Sequence, residues 1–153
     1  MAGGLYLITT VTHGRRPLFA HATSAACVGH TAASPALWTP GRLWAWVLMP
    51  DHWHGLVELG KGQNLSTMIA RFKGSSSRSL GKACPASGLV WQKGFHDRAL
   101  RRSDDLRTVA GYILDNPLRA RLVERLEDYP YWGCAWLERA SDLSGLDCPP
   151  GRG

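Results

Sequence analysis

A chain of 153 residues, 44% hydrophobic and 20% charged, is long enough for one domain with a buried core and too short for two comfortable ones. No apolar run approaches the roughly 20 residues of a membrane span, and no basic, apolar leader opens the chain, so a cytoplasmic protein without a membrane partner is expected. The net charge of +6 is uneven: residues 61–125 hold thirteen Lys/Arg against five Asp/Glu, so the rest is slightly acidic.

Such a local excess suits a polyanion such as nucleic acid. Fourteen of the eighteen basic residues are Arg, whose planar fork matches phosphate and stacks on bases. A merely solvated basic face is an equally good reading of composition alone. Cys27, Cys84, Cys134 and Cys148 are far apart, form no C-x-x-C pair, and read as reduced thiols without chemistry.

In chain order, Leu5–Thr12 is β-branched and aromatic and predicts a strand, which His13 to Pro17 breaks. Leu18 to Ala33 is alanine-rich and predicts a helix, and Ser34 to Gly41 a loop. Arg42–Met49 and His52–Leu59 predict an antiparallel pair joined by a tight turn at Met49-Pro50-Asp51. Leu65, Met68, Ile69 and Phe72 fall at i, i+3, i+4 and i+7, predicting a helix over 65–80 with a loop over 81–88. Leu89–Trp91 and Arg98–Arg101 are extended candidates. Ser103, followed by Asp104 and Asp105, predicts a helix start, and Asn116-Pro117 its end. The first six elements run βαββαβ, a ferredoxin-like α+β order with an antiparallel sheet, helices on one face and a further C-terminal helix that bears Tyr112. One domain is expected over 1–140, with a flexible tail over 141–153.

Three places carry chemistry-bearing residues. In Asp51-His52-Trp53-His54, the two histidines are i and i+2 on a strand and share a face, presenting paired imidazoles of the kind that bind metals, while Trp53 points to the other face. A lone His-x-His is a weak signal, and a third ligand must come from elsewhere. Tyr112 and Asn116 are four apart on one helix face. A phenolate can attack a phosphodiester and an amide carbonyl can meet a metal, although a half-buried helix tyrosine and a turn asparagine are common without either role. Arg71, Phe72 and Lys73, then Trp91, Lys93, Phe95 and Arg98, interleave cations and rings, as single-stranded nucleic acid requires; Trp91 and Phe95 serve equally well as core.

The pieces WAWVLMPDHWHGLVEL, ARFKG, LVWQKGFHDRALR and YILDNPLRARLVERLEDYPYW, with YLITTVTHGRRPLF ahead of them, resemble in that order the single-tyrosine HUH transposases, and most closely the REP-associated tyrosine transposase branch. The resemblance spans about residues 5 to 133. It implies a metal-dependent endonuclease and strand transferase acting on single-stranded or hairpin DNA. Tyr112 is then the nucleophile and His52, His54 and Asn116 the ligands of Mg²⁺ or Mn²⁺. Arg71, Lys73, Trp91, Lys93, Arg98 and Arg119 are candidate DNA contacts. Monomers and homodimers are both compatible with it. The alternatives are a non-catalytic DNA- or RNA-binding regulator and a metal-dependent hydrolase without a covalent step.

Overall fold

In the computed structural model, which describes residues 4–101 and 104–136, five strands form one sheet in the order β4-β1-β3-β2-β5. These are β1 (Leu5–Val11), β2 (Arg42–Met49), β3 (His52–Glu58), β4 (His96–Ala99) and β5 (Trp132–Cys134). Every pairing is antiparallel, so β1 and β2 run the same way with β3 between them. The first four strands thus realise the expected ferredoxin-like order. The fifth was not anticipated; a three-residue Trp-Gly-Cys strand carries too little alternation to be seen in sequence.

β2 and β3 form a hairpin closed by Pro50 and Asp51, with Met49 opposite His52. The turn is stitched to the segment after β1: Thr12 and Phe19 both donate backbone N–H groups to it, to Asp51 O and Pro50 O, each at 2.9 Å. That stitch explains a departure from expectation. Leu18–Ala20 is a separate 3-10 turn anchored by buried Phe19, His21 is extended, and the first helix, α1, covers only Ala22–Ala32. A one-turn helix, α2 (Pro35–Trp38), follows.

Helix α3 (Leu65–Ala83) begins where Asn64 Oδ1 accepts from Thr67 N at 3.2 Å. Its buried residues run from Met68 through Ser76 to Leu80, the expected end, and the helix continues to Ala83, with Cys84 as C-cap and Pro85 next. The extended stretch before β4 reduces to a single bridge, Thr12 to Trp91. Ser103, the expected cap of the next helix, lies outside the described residues, as does the tail. Helix α4 (Leu106–Leu114) is capped by Asp105, whose carboxylate accepts from Arg107 N at 3.0 Å and Thr108 Oγ1 at 3.2 Å. Asn116-Pro117 ends α4 and starts the one-turn α5 (Asn116–Arg119).

The alternation of β3 divides the molecule. Trp53 and Val57 join Ile8, Leu48, Val28, Ile69, Phe72 and Leu80 in a core under α1 and α3. Leu56 joins Ala45, Val47, Met49, Val109, Ala110 and Ile113 in a second core under α4. Gly55 makes room for Trp53, since a Cβ there would sit 2.1 Å from its indole. No helix among the described residues is long and apolar enough to cross a membrane.

Candidate active site

His52 and His54 lie on the α4 side of the sheet, opposite Trp53, as strand alternation requires. Their rings are 4.6 Å apart between centroids and nearly perpendicular, at 82°. Each Nδ1 is already engaged. Thr9, directly across the ladder from His54, places Oγ1 2.9 Å from its Nδ1. Asp51 in the hairpin turn places Oδ1 2.6 Å from His52 Nδ1. Asp51 is itself met by Arg15 at 3.5 Å, from a turn where Arg15 takes φ 52°. This arrangement holds both imidazoles through Nδ1, the second-partner geometry in which Nε2 is the nitrogen that meets a metal. Burial first, then the neighbouring His52 and the positive Arg119, lower the His54 pKa to about 4. The ring is therefore neutral, and able to accept a metal, near pH 7.

Tyr112 stands on the flank of α4 and is 50% exposed. The Arg119 guanidinium lies 4.2 Å from the centre of its ring. Arg119 also donates to the Tyr112 carbonyl at 3.0 Å and pairs with Asp115 at 3.3 Å. Asp115, which links α4 to α5, keeps helical backbone angles (φ -77°, ψ -9°), and Arg119 follows in the single turn of α5. A depression of about 470 Å³ opens beside the tyrosine, lined by Leu7, Arg98, Thr108, Asp115 and Arg119. Asn116 is half-buried and its Nδ2 donates to Ile113 O at 2.7 Å, so Oδ1 is the end available to a ligand. Among the described residues no hydrogen bond joins Asn116 to either histidine, and no three His, Cys, Asp or Glu side chains cluster. A third protein ligand would have to be of another type, as an asparagine is.

The expected DNA contacts divide between the two sides of the sheet. Arg98 and Arg119 flank Tyr112. Arg71 and Lys73 sit on α3, on the far side. Arg71 reaches Leu37 O at 3.4 Å. Lys73 donates to Gln92 O at 2.9 Å and to Gly94 O, and burial lowers its pKa; it staples the 91–95 loop to α3. Lys93 is exposed on that loop. Trp91 is 8% exposed, packs on Phe19 and Phe72, and donates its indole N–H to Ser76 at 2.9 Å. Its ring is core, so the faces that would stack on a base are taken. Thr9 and Arg15 carried no signal in sequence; only the β1–β3 register and the turn geometry bring them to the histidines.

A split β-α-β sheet of this order, with paired imidazoles on its central strand and a half-exposed tyrosine on the helix that covers them, defines a ferredoxin-like protein whose polar groups gather on one sheet face. The model of the family "Transposase IS200 like" matches residues 5–116, and the chain belongs to that family. It is similar to proteins named as REP-associated tyrosine transposases from Haemophilus influenzae (strain Rd), 33% identical over 95 residues, and Escherichia coli K12, 28% identical over 92. These matches cover 55% and 60% of this chain and 53% of each relative, so the chain spans about half the length of the curated relatives it matches. Its fold is similar to that of a REP-associated tyrosine transposase solved bound to a REP hairpin (TM-score 0.70, 24% identity, 95% of this chain and 83% of the other). It is also similar to a protein described as a transposase from Deinococcus radiodurans R1 (TM-score 0.58, 17% identity, 80% and 87%).

Proposed function

We propose that this protein is a metal-dependent single-stranded DNA endonuclease and strand transferase that cuts near hairpins with Tyr112 as its nucleophile and works in the cytoplasm. One observation carries the reading: the oriented His52–His54 pair and the half-exposed, arginine-backed Tyr112 share one face of the sheet. Family membership and the hairpin in the similar solved structure support DNA as the substrate.

His52 Nε2, His54 Nε2 and Asn116 Oδ1 would hold Mg²⁺ or Mn²⁺, the amide oxygen being a donor type that suits both ions and the neutral imidazoles being general ligands for divalent metals. When bound, the ion supplies positive charge to the non-bridging oxygens of the scissile phosphate. Tyr112 Oη attacks phosphorus; the Oη–P bond forms as the bond to the 3′ oxygen breaks. The phenol proton leaves to solvent, and the departing oxygen takes one up as a free 3′-OH. The 5′ side stays on Tyr112 until a 3′-OH attacks the phosphotyrosine and reverses the exchange. No nucleotide is consumed, because the bond is conserved. Arg98 and Arg119, beside the tyrosine, offer fixed cations to the phosphate as its charge develops.

The test is incubation with single-stranded hairpin DNA and Mn²⁺, followed by a denaturing gel. A covalent protein–DNA band is expected, lost with chelator, in His54→Ala and in Tyr112→Phe. No band across a broad set of hairpins, or a band that persists in Tyr112→Phe, sinks the reading.

A further inference from the structure

A second constellation sits on the α4 side of the sheet, on the flank of α4 away from Tyr112. It begins with an irregularity. The β2–β3 register shifts between Leu43 and Ala45. Without it, strict alternation from Ala45, Val47 and Met49 would send Trp44 to the α1/α3 core. The bulge turns Trp44 to the α4 side and Leu43 to the other. There Trp44 stacks on Trp136, with ring centroids 5.1 Å apart and planes within 22°. Its indole N–H is held by Glu58 Oε1 at 3.2 Å. A guanidinium lies over each ring: Arg42 is 4.3 Å from the centre of the Trp44 ring and Arg107 6.0 Å from that of Trp136.

The result is an Arg-Trp-Trp-Arg ladder with both arginines exposed and both indoles half-buried. Among the described residues neither Arg42 nor Arg107 makes an ion pair, whereas Arg15, Arg98, Arg119 and Arg125 all do. Glu58 is opposite Arg42 in the ladder, but its Oε1 is engaged by the Trp44 indole; a cation held on a ring and not ion-paired is oriented in advance for a phosphate. Arg107 is the looser of the two, so a base has access to the face of Trp136 by displacing it.

We propose that this ladder is a docking platform for an unpaired stretch of DNA, Trp136 stacking on a base while Arg42 and Arg107 take flanking phosphates. The proposal rests on the reading of the protein as one that handles single-stranded DNA. Trp44 lies five residues along β2 from Met49, the partner of His52, or about 17 Å. A strand engaged at Tyr112 therefore reaches the platform by crossing α4.

Binding is measured with the full chain carrying Tyr112→Phe, in chelator, so that neither cutting nor metal enters. The probes are one hairpin with and without a single-stranded tail, and the same tail with abasic sites. Trp136→Ala is expected to weaken binding to the tailed hairpin about 5- to 150-fold and to leave the blunt hairpin unchanged. Abasic sites should reproduce that weakening in the parent and add nothing in the variant. The Arg42→Gln/Arg107→Gln double variant, altered only at exposed positions, should flatten the salt dependence by roughly 0.7 in log–log slope for each phosphate that the platform no longer neutralises. Unchanged affinity, an equal weakening on blunt and tailed hairpins, or a changed sedimentation coefficient with DNA binding intact would each overturn it; the last would make the ladder a protein interface. Platform-dependent binding in a chain that never forms the covalent band would sink the transferase reading and keep this one. A covalent band with no platform effect would do the reverse.

Discussion

Along β3, neighbouring residues part company. Trp53 goes to a side where rings pack on rings: it stacks on Trp38 at 5.8 Å and meets Phe72 at 4.5 Å, and Phe72 meets Trp91 at 5.7 Å. Trp53 and Phe72 are completely buried and Trp38 nearly so. His52 and His54 go to a side where hydroxyl, carboxylate and guanidinium groups orient imidazoles and a phenol. The first side gains rigidity from buried area and tight packing. The second has an apolar core of its own under α4 and, beside it, polar groups held in fixed directions. A rigid sheet is what lets the second arrangement hold its geometry, because its strands are clamped from behind.

The largest expected effect tests that clamp. Phe72→Ala removes the ring shared by Trp38, Trp53 and Trp91 and should cost about 3–5 kcal/mol in urea unfolding. The rate of covalent adduct formation per folded molecule should hardly change; a proportionate loss of rate would show that the two sides are not separable. Next, Thr9→Val keeps the shape of the side chain but removes the partner of His54 Nδ1. Mn²⁺ affinity by calorimetry should fall about 10- to 100-fold with little change in melting temperature. Unchanged affinity would mean the ring needs no orienting partner.

The smallest effect concerns Tyr129, which packs in the α4-side core and donates its hydroxyl to Leu48 O. Burial, then nearby Tyr131, raises its pKa to about 12, above the ordinary 10. The folded state thus holds this proton more tightly than the unfolded state. The resulting stability is complete below pH 10 and lost as pH rises toward 12. Tyr129→Phe should cost about 1 kcal/mol at neutral pH, from the missing hydrogen bond, and make the urea midpoint less sensitive to pH across that window. An alkaline profile identical to the parent's would assign the effect to other groups.

The β2–β3 hairpin and the buried spacing of α3 were legible because each depends on local periodicity and turn chemistry. So was the shared face of the two histidines. The Asp51 in their motif was visible too, but its role was not, since only folding shows which carboxylate oxygen meets which ring nitrogen. Thr9 is 45 residues from His54, and nothing short of the strand register joins them. Trp91 had two equal readings, and the hydroxyl of Ser76, aimed at its indole N–H from α3, decided for the core. The bulge at Leu43/Ala45 and the three-residue β5 were invisible for opposite reasons: the first breaks the alternation that sequence reading relies on, and the second is too short to display any.

The order of the strands carries one more consequence. A sheet invites further strands to zip onto it in proportion to how long and apolar its outermost strands are. Here the long strands β1, β2 and β3 are all interior. The two borders are β4, four exposed residues reading His-Asp-Arg-Ala, and β5, three residues long. Neighbouring copies are thereby offered little free backbone, and what one border does present is studded with charge. Among the described residues, the strands that flank the Trp-rich interior of this sheet are therefore its two shortest, and the charged one, β4, is exposed throughout.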